Sequence, residues 1–261
     1  MPGPSVRSQQ ADGVATLTID REAKRNALDR ETLGALEAAL DAAARDPEVR
    51  VIVLRGAGDR VFCAGADLAE IQGHESIEAS RHHFDGVARV ILAIQRAGQP
   101  VIARVPGFAL AGGFGLAVAA DFTVASVGAR FGLPEIGVGL LPLMVSAPIY
   151  RALGSRKALL DLVLTGRQID AAEAKQLGLV SRVVEAGELD AEIARLSATL
   201  LAFSPSALRL GKEAVYTLCE MEYQTSMRYL REMIVLTSRT EDAQEGIRAF
   251  FEKRKPVWTG R

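Results

Sequence analysis

Short apolar runs and glycine-bearing turns alternate through the first half of this 261-residue chain, and that alternation limits the folds open to it. Val14–Ile19 and Val51–Leu54 are dense in β-branched residues and read as strands. Between them, the segment Glu31–Arg45 places Leu33, Leu36, Leu40 and Ala43 on one helical face. A glycine-rich stretch, 56–65, follows the second strand, and Ile77–Gln95 then reads as a long helix. Val101–Val105 is a third strand, which runs into a glycine cluster and a small-residue helix ending near Ala120; Phe122–Ala125 is a fourth. The unit of strand, glycine turn and helix recurs without a fixed period. It predicts a parallel α/β arrangement rather than a regular solenoid.

From Leu143 onward the pattern is nearly all helical. Leu143–Leu153, Ser155–Leu164, Ala171–Leu177, Leu189–Phe203, Ser206–Leu218, Met221–Leu236 and Glu241–Glu252 are the expected helices, with Leu179–Val184 the one intervening strand. Ser204-Pro205 marks a break and a helix start, and Pro256 ends the last helix. No low-complexity linker separates the two regions, so they are expected to pack together.

The net charge of −1 and 5% aromatic content disfavour a nucleic-acid module or a polybasic membrane anchor. No run of about 18 apolar residues is present, so no transmembrane helix is expected. Residues 1–13 lack the apolar stretch of a secretory signal, so a cytoplasmic location is expected. Cys63 and Cys219 are far apart and form no zinc or disulfide framework. His82 and His83 point about 100° apart on a helix and cannot chelate one ion from one face. With His74 they are read as surface or pocket-wall residues, and no metal is expected.

Three segments carry chemical potential. In Val61-Phe-Cys-Ala-Gly-Ala-Asp-Leu68, small residues let a ligand approach the backbone, and Asp67 is placed to cap the following turn. Cys63 within it reads as a packed small side chain, since no base is paired with it. In Ala109-Leu-Ala-Gly-Gly-Phe-Gly115, glycines at a helix start expose free N–H groups where the helix dipole is positive, which suits an anion or a developing oxyanion. In Phe131-Gly-Leu-Pro-Glu-Ile136, a carboxylate lies among Leu133, Ile136 and Val138. Partial desolvation there raises its pKa toward the range useful for proton transfer. Taken singly, each segment has a bland alternative: a turn, tight strand–helix packing, a helix-start carboxylate. The sequence lacks GxGxxG, GxxxxGK and GxSxG arrangements in the contexts that would redirect the reading.

Together, and in this order, the three segments resemble those of the enoyl-CoA hydratase/isomerase (crotonase) family. Lys24-Arg-Asn-Ala-Leu28 resembles the family's N-terminal signature, and Leu164-Thr-Gly-Arg-Gln-Ile-Asp170 with Ala174 and Gly178-Leu-Val180 its middle one. Glu252-Lys-Arg-Lys-Pro256 resembles its usual ending. The resemblance spans essentially the whole chain. It implies an α/β fold: a crotonase-like spiral of β-β-α turns over 1–200, acyl-CoA-binding and catalytic, and a C-terminal helical region over 201–261 for trimerisation. It implies homotrimers or hexamers built as dimers of trimers. It also implies an acyl-CoA or enoyl-CoA substrate with no separate cofactor, coenzyme A being part of the substrate, and a role in fatty-acid β-oxidation. The backbone N–H groups of Ala66 and Gly112 would form an oxyanion hole, and Glu135 would be the catalytic base. Ala64, Asp67, Leu68 and Gly113 would line the CoA path. Lys24 would lie near the nucleotide phosphates, joined by a basic residue such as Lys253 from a neighbouring copy; a solvated surface charge is the alternative for both lysines.

The chain departs from the family pattern at one decisive place. A hydratase of this family carries two acids, one to activate water and one to deliver a proton. Here Glu135 is present, but the other position holds Gly115, and the stretch after Glu135 reads Leu140-Leu-Pro-Leu-Met-Val-Ser146. One carboxylate suffices to take a proton from C2 of a 3-enoyl thioester and return it at C4. The expectation is therefore Δ3,Δ2-enoyl-CoA isomerisation, with enoyl-CoA hydration as the alternative and non-catalytic acyl-CoA binding as a further one. Glu70, Glu75 and Asp85 lie in segments from which a substitute acid would have to come.

Overall fold

The computed structural model describes residues 3–261. Among these residues, ten strands form two sheets, and eleven α-helices surround them. An antiparallel hairpin of β1 (Val6–Ala11) and β2 (Val14–Ile19) starts the larger sheet. β3 (Val51–Gly56), β5 (Val101–Val105), β7 (Phe122–Ser126) and β10 (Arg182–Val184) follow in parallel, in the order β1-β2-β3-β5-β7-β10. The smaller sheet uses β4 (Val61–Cys63), β6 (Phe108–Leu110), β8 (Arg130–Gly132) and β9 (Gln168–Asp170), of three residues each. The chain alternates between the sheets, placing one strand in each before a helix returns it. Each β-β-α turn advances the spiral by one strand.

The helices are α1 (Arg30–Arg45), α2 (Leu68–Gln72), α3 (Ile77–Arg96), α4 (Gly112–Ala119), α5 (Leu143–Leu153), α6 (Arg156–Thr165), α7 (Ala171–Gln176), α8 (Leu189–Leu201), α9 (Pro205–Leu218), α10 (Tyr223–Ser238) and α11 (Glu241–Phe251). Asp29, Asp67, Ser76, Ser155, Asp170, Ser204, Glu222 and Thr240 cap eight of them through side-chain oxygens, which explains why the starts are sharp.

Strand alternation divides the core. Val51 and Val53 point to one face of the larger sheet, with Ile102 and Val124, and pack on Leu189, Ile193, Leu196 and Leu200 of α8. Ile52 and Leu54 point the other way, into the main core with Leu17, Phe62, Phe114 and Phe131. After α8 the chain leaves the sheet. The α9 helix returns by a buried ion pair: Lys212 Nζ lies 2.7 Å from Asp121 Oδ2 and donates to the carbonyls of Ile94 and Gln99. By contrast, α10 and α11 expose Met227, Ile234, Val235, Leu236, Phe250 and Phe251. Phe250 is 80% exposed and Phe251 77%, more apolar surface than a lone copy normally leaves in water. Among the described residues, no helix is long and apolar enough to cross a membrane.

Candidate active site

The smaller sheet gathers the three segments singled out in the sequence. Its strands β4, β6 and β8 are neighbours and parallel, so their carboxyl ends lie on one edge. Ala66 follows β4 by three residues, Gly112 follows β6 by two, and Glu135 follows β8 by three. Loops at the carboxyl edge of parallel strands are where an α/β fold leaves a crevice. The coupling is direct: Leu110 pairs with Gly132, and the Ala111 N–H donates to the Gly132 carbonyl at 2.9 Å.

The backbone around Ala66 is held from one side. Leu28 and Ala66 form an isolated parallel bridge, in which Leu28 N–H donates to Gly65 O at 2.8 Å and Asp67 N–H donates to Leu28 O at 2.9 Å. Extended backbone alternates its polar groups, so the Ala66 N–H faces away from Leu28. No acceptor takes it among the described residues. Gly112 lies close by. A Cβ placed on Gly112 would sit 3.8 Å from the Ala66 nitrogen and 3.5 Å from Gly65 Cα. As the first residue of α4, Gly112 also has no intrahelical acceptor for its N–H.

Two backbone conformations make this approach possible. Gly65 has φ +96°, and a Cβ there would lie 2.4 Å from Ala111 Cβ. Ala111 itself takes φ 51° and ψ −126°, a region costing about 1–3 kcal/mol for a residue with a side chain. That turn sets the direction of the Gly112 amide. The unusual dihedral at a glycine in the 61–68 segment follows the sequence reading, while the positive φ at Ala111 was not read from it; the small residues Ala111-Gly-Gly113 are the signal that would have found it.

Glu135 lies in a 3-10 turn, Pro134–Val138, closed by Gly139 in the left-handed region. Its Oε2 is buried and has no hydrogen-bond partner among the described residues. Burial holds its carboxyl up at about 7, against a small opposing effect of its own backbone N–H. The apolar surroundings differ in detail from expectation: Leu133 is buried, but Ile136 and Val138 are exposed and form part of an apron continuing through Leu140, Leu141, Leu143 and Met144.

Gly115 is buried on α4 against α5. A Cβ there would meet Val145 Cγ1 at 2.2 Å and Cβ at 2.4 Å. Val145 therefore fills the space a second acid would need. Gly113 is equally constrained, since a Cβ would lie 2.2 Å from the Cys63 carbonyl oxygen; its missing side chain lets α4 seat on β4. Cys63 is fully buried and its thiol is pushed up to about 12 by desolvation, so it is no nucleophile.

Of the remaining candidates, Lys24 and Asp67 line an open groove of about 960 Å³ together with Asp29, Arg30, Ala69 and Glu70, whereas Ala64, Leu68 and Lys253 are not part of its lining. Lys24 is exposed and makes no ion pair among the described residues. Ala64 donates its N–H to Arg25 O at 3.1 Å, and Leu68 is 54% exposed at the head of α2. Asp67 is bound on several sides: Arg21 reaches it at 3.1 Å, and it accepts from Ala69 N–H at 3.2 Å. Burial pushes its carboxyl up, but Arg21, the Ala69 N–H and the Lys24 charge outweigh this and hold it below the usual range. Lys253 is exposed just beyond α11, away from any ion pair among the described residues.

Three supporting residues escaped sequence reasoning. Arg21 grips Ala27 O at 2.6 Å and Asp29 at 2.7 Å as well as Asp67. Asn26, fully buried with φ 56°, donates to Ala57 O at 3.0 Å and Val61 O at 2.8 Å. The Lys24–Leu28 signature thus clamps the segment that presents Ala66. The third is His83, read as a surface or pocket-wall residue; it is 1% exposed and leaves both ring nitrogens unpartnered among the described residues.

Two sheets wound by β-β-α turns, followed by a C-terminal helical region, define the crotonase fold. Comparison with known proteins agrees. The structure superimposes on an enoyl-CoA hydratase from Mycobacterium smegmatis with a TM-score of 0.94 at 37% identity, covering 98% of this chain and 99% of that one. A probable enoyl-CoA hydratase of Rhizobium meliloti is 41% identical over 243 residues, 93% of each chain. A crotonyl-CoA hydratase of Syntrophomonas wolfei is 35% identical over 95% of each. The family profile for enoyl-CoA hydratase/isomerase matches residues 9–261. The chain belongs to the enoyl-CoA hydratase/isomerase family of enzymes.

Proposed function

We propose that this enzyme acts on enoyl-CoA thioesters with Glu135 as its single proton-transferring acid, and that it favours Δ3,Δ2-enoyl isomerisation. The observation that carries the reading is a desolvated carboxyl poised near 7, together with a Gly115 whose side-chain space Val145 occupies. The Glu135 carboxylate takes a proton from C2 of a 3-enoyl thioester. The electron pair moves onto the thioester oxygen, which receives the N–H groups of Ala66 and Gly112; losing one such donor costs about 3 kcal/mol of transition-state stabilisation. The protonated Glu135 then returns its proton at C4, and the double bond lies between C2 and C3. A carboxyl with pKa near the working pH does both halves without a strong thermodynamic bias. Ala64, Asp67, Leu68 and Gly113 border the thiol arm, and Lys24 supplies positive charge at the mouth of the groove for the nucleotide phosphates.

A second reading, addition of water to a 2-enoyl-CoA, is favoured by the names of the relatives. It asks Glu135 both to accept the proton of water and to deliver one to C2. Turnover of purified protein on 3-enoyl-CoA and on 2-enoyl-CoA separates the two: fast hydration without isomerisation overturns the first reading. Failure to exchange the C2 proton of a saturated acyl-CoA in deuterated water would leave only non-catalytic binding. The exposed apolar surface of α10 and α11 supports assembly into trimers or hexamers, and a cytoplasmic role in fatty-acid β-oxidation completes the reading.

A further inference from the structure

α2, the turn after it and α3 bring together Glu70, His74 and His83, whose ligating atoms all lie within 4.8 Å of one another. We infer that these three side chains form a binding site for a first-row divalent transition cation, of which Zn²⁺ is the natural occupant by donor type. Glu70 and His74 are four apart across the Gly73 end of α2, and His83 faces them from the second turn of α3; the ring centroids of the two histidines are 5.6 Å apart.

The strongest mark is His83. It is buried, yet neither ring nitrogen has a hydrogen-bond partner among the described residues. Buried polar atoms in folded proteins are normally satisfied, so an imidazole with two orphaned nitrogens calls for a ligand. Its Nδ1 stands 3.9 Å from Glu70 Oε1.

The supporting contacts are those of a metal site. Glu70 Oε2 accepts the Arg30 N–H at 2.9 Å, which fixes the carboxylate and leaves Oε1 toward His83. His74 Nδ1 meets Ser80 Oγ at 3.2 Å, which orients the ring and leaves Nε2 for the ion. Glu70 and His74 are only partly buried, so the ion has a way in. Two ligands of a tetrahedral Zn²⁺ stand about 3.3–3.4 Å apart, so the three atoms need to close by roughly an ångström. Two nitrogens and one carboxylate oxygen suit Zn²⁺, Co²⁺ or Ni²⁺ rather than Mg²⁺ or Ca²⁺. Because α2 begins immediately after Ala66 and Asp67, a bound cation would tie the strand end that presents the Ala66 amide to the long helix α3. The site is independent of which proton chemistry Glu135 performs.

The test is calorimetric titration of the metal-free full chain with ZnCl₂, repeated with CoCl₂ to read ligand-field absorption. One equivalent of Zn²⁺ per chain is expected, with weakening of at least about 100-fold in His74→Ala and in Glu70→Gln, about tenfold in Ser80→Ala, and none in His82→Ala. Both ligand variants sit at partly exposed positions, so far-UV circular dichroism should show them folded. His83→Ala is added only if it too folds. Absence of a one-equivalent transition in the wild type overturns the site, as does wild-type affinity in His74→Ala and Glu70→Gln, or a loss confined to His82→Ala.

Discussion

The two sheets of this enzyme differ in what holds them and in what they do. The larger sheet has strands of five or six residues for the most part, Val51, Ile52, Leu54 and Val101 among them fully buried, and packs against helices on both faces. It carries no candidate site residue. The smaller sheet has strands of three residues, and the loops at one edge supply Ala66, Gly112 and Glu135. The comparison teaches that both sheets feed one core, to which the smaller sheet adds Phe62 and Phe131, while Ala66, Gly112 and Glu135 all lie at the carboxyl edge of the smaller one. The long strands supply most of the buried length, and the short ones, themselves anchored by Phe62, Ala109, Phe131 and Ile169, end in loops with a strained turn at Ala111.

If that division is right, substitutions in the two layers should fail in different ways. The largest effect is expected from Glu135→Gln, which should lower turnover by about 10²–10⁴-fold while acyl-CoA binding, measured by calorimetry, stays close to wild type. Turnover unchanged would place the base elsewhere. Next is Gly65→Ala, which forces a Cβ into Ala111 at φ +96° and displaces both amides. Turnover should fall by about 10²–10³-fold with a modest loss of stability, and KM should move less than kcat. The matched change in the other layer, Leu54→Ala, should cost about 2–5 kcal/mol in chemical denaturation yet leave the turnover of folded protein nearly intact. If Leu54→Ala abolished catalysis at full occupancy of the folded state, the division into layers would be wrong.

A smaller effect sharpens the role of Gly115. Gly115→Ala should destabilise by about 1–3 kcal/mol through its clash with Val145, and Val145→Ala introduced beside it should recover part of the loss, a coupling that thermal denaturation of the four variants measures. The smallest is electrostatic. The carboxyl of Glu135 is raised to about 7 in the fold, so the folded chain holds that proton more tightly than the unfolded one. Below the ordinary glutamate range both states are protonated and nothing is lost. As pH rises through 7 the fold bears the cost of a desolvated carboxylate. Glu135→Gln should therefore raise Tm at pH 8 by about 2–4 °C and leave it unchanged near pH 4. In the wild type, kcat/KM should fall below pH 7 as the base is protonated.

Much of this was legible in the residues. Val14–Ile19 and Val101–Val105 fall where alternation and β-branching put them, and the helices from 143 onward agree within a few residues, because capping side chains and prolines mark their ends locally. The hairpin partner Val6–Ala11 was missed because almost every side chain on it is polar or exposed. The strands 108–110, 130–132 and 168–170 were missed because three residues are too few to show a period. Glu135 stood out by its apolar neighbours, yet Ile136 and Val138 proved exposed; its desolvation comes from other packing than the adjacent letters suggested.

What the sequence determined by itself was the family pattern, the order of the helices and the identity of the residues capable of chemistry, since each depends on composition and spacing within about twenty residues. What only the tertiary structure decided was convergence. Val145 fills the room above Gly115, Asn26 and Arg21 clamp a strand some forty residues away, and His83 turns inward to meet Glu70 and His74 while its neighbour His82 does not. Such meetings are fixed by the register of strands distant in the chain and by the strained turn at Ala111. They cost conformational entropy that only the assembled core offsets, and no local stretch of residues encodes that balance.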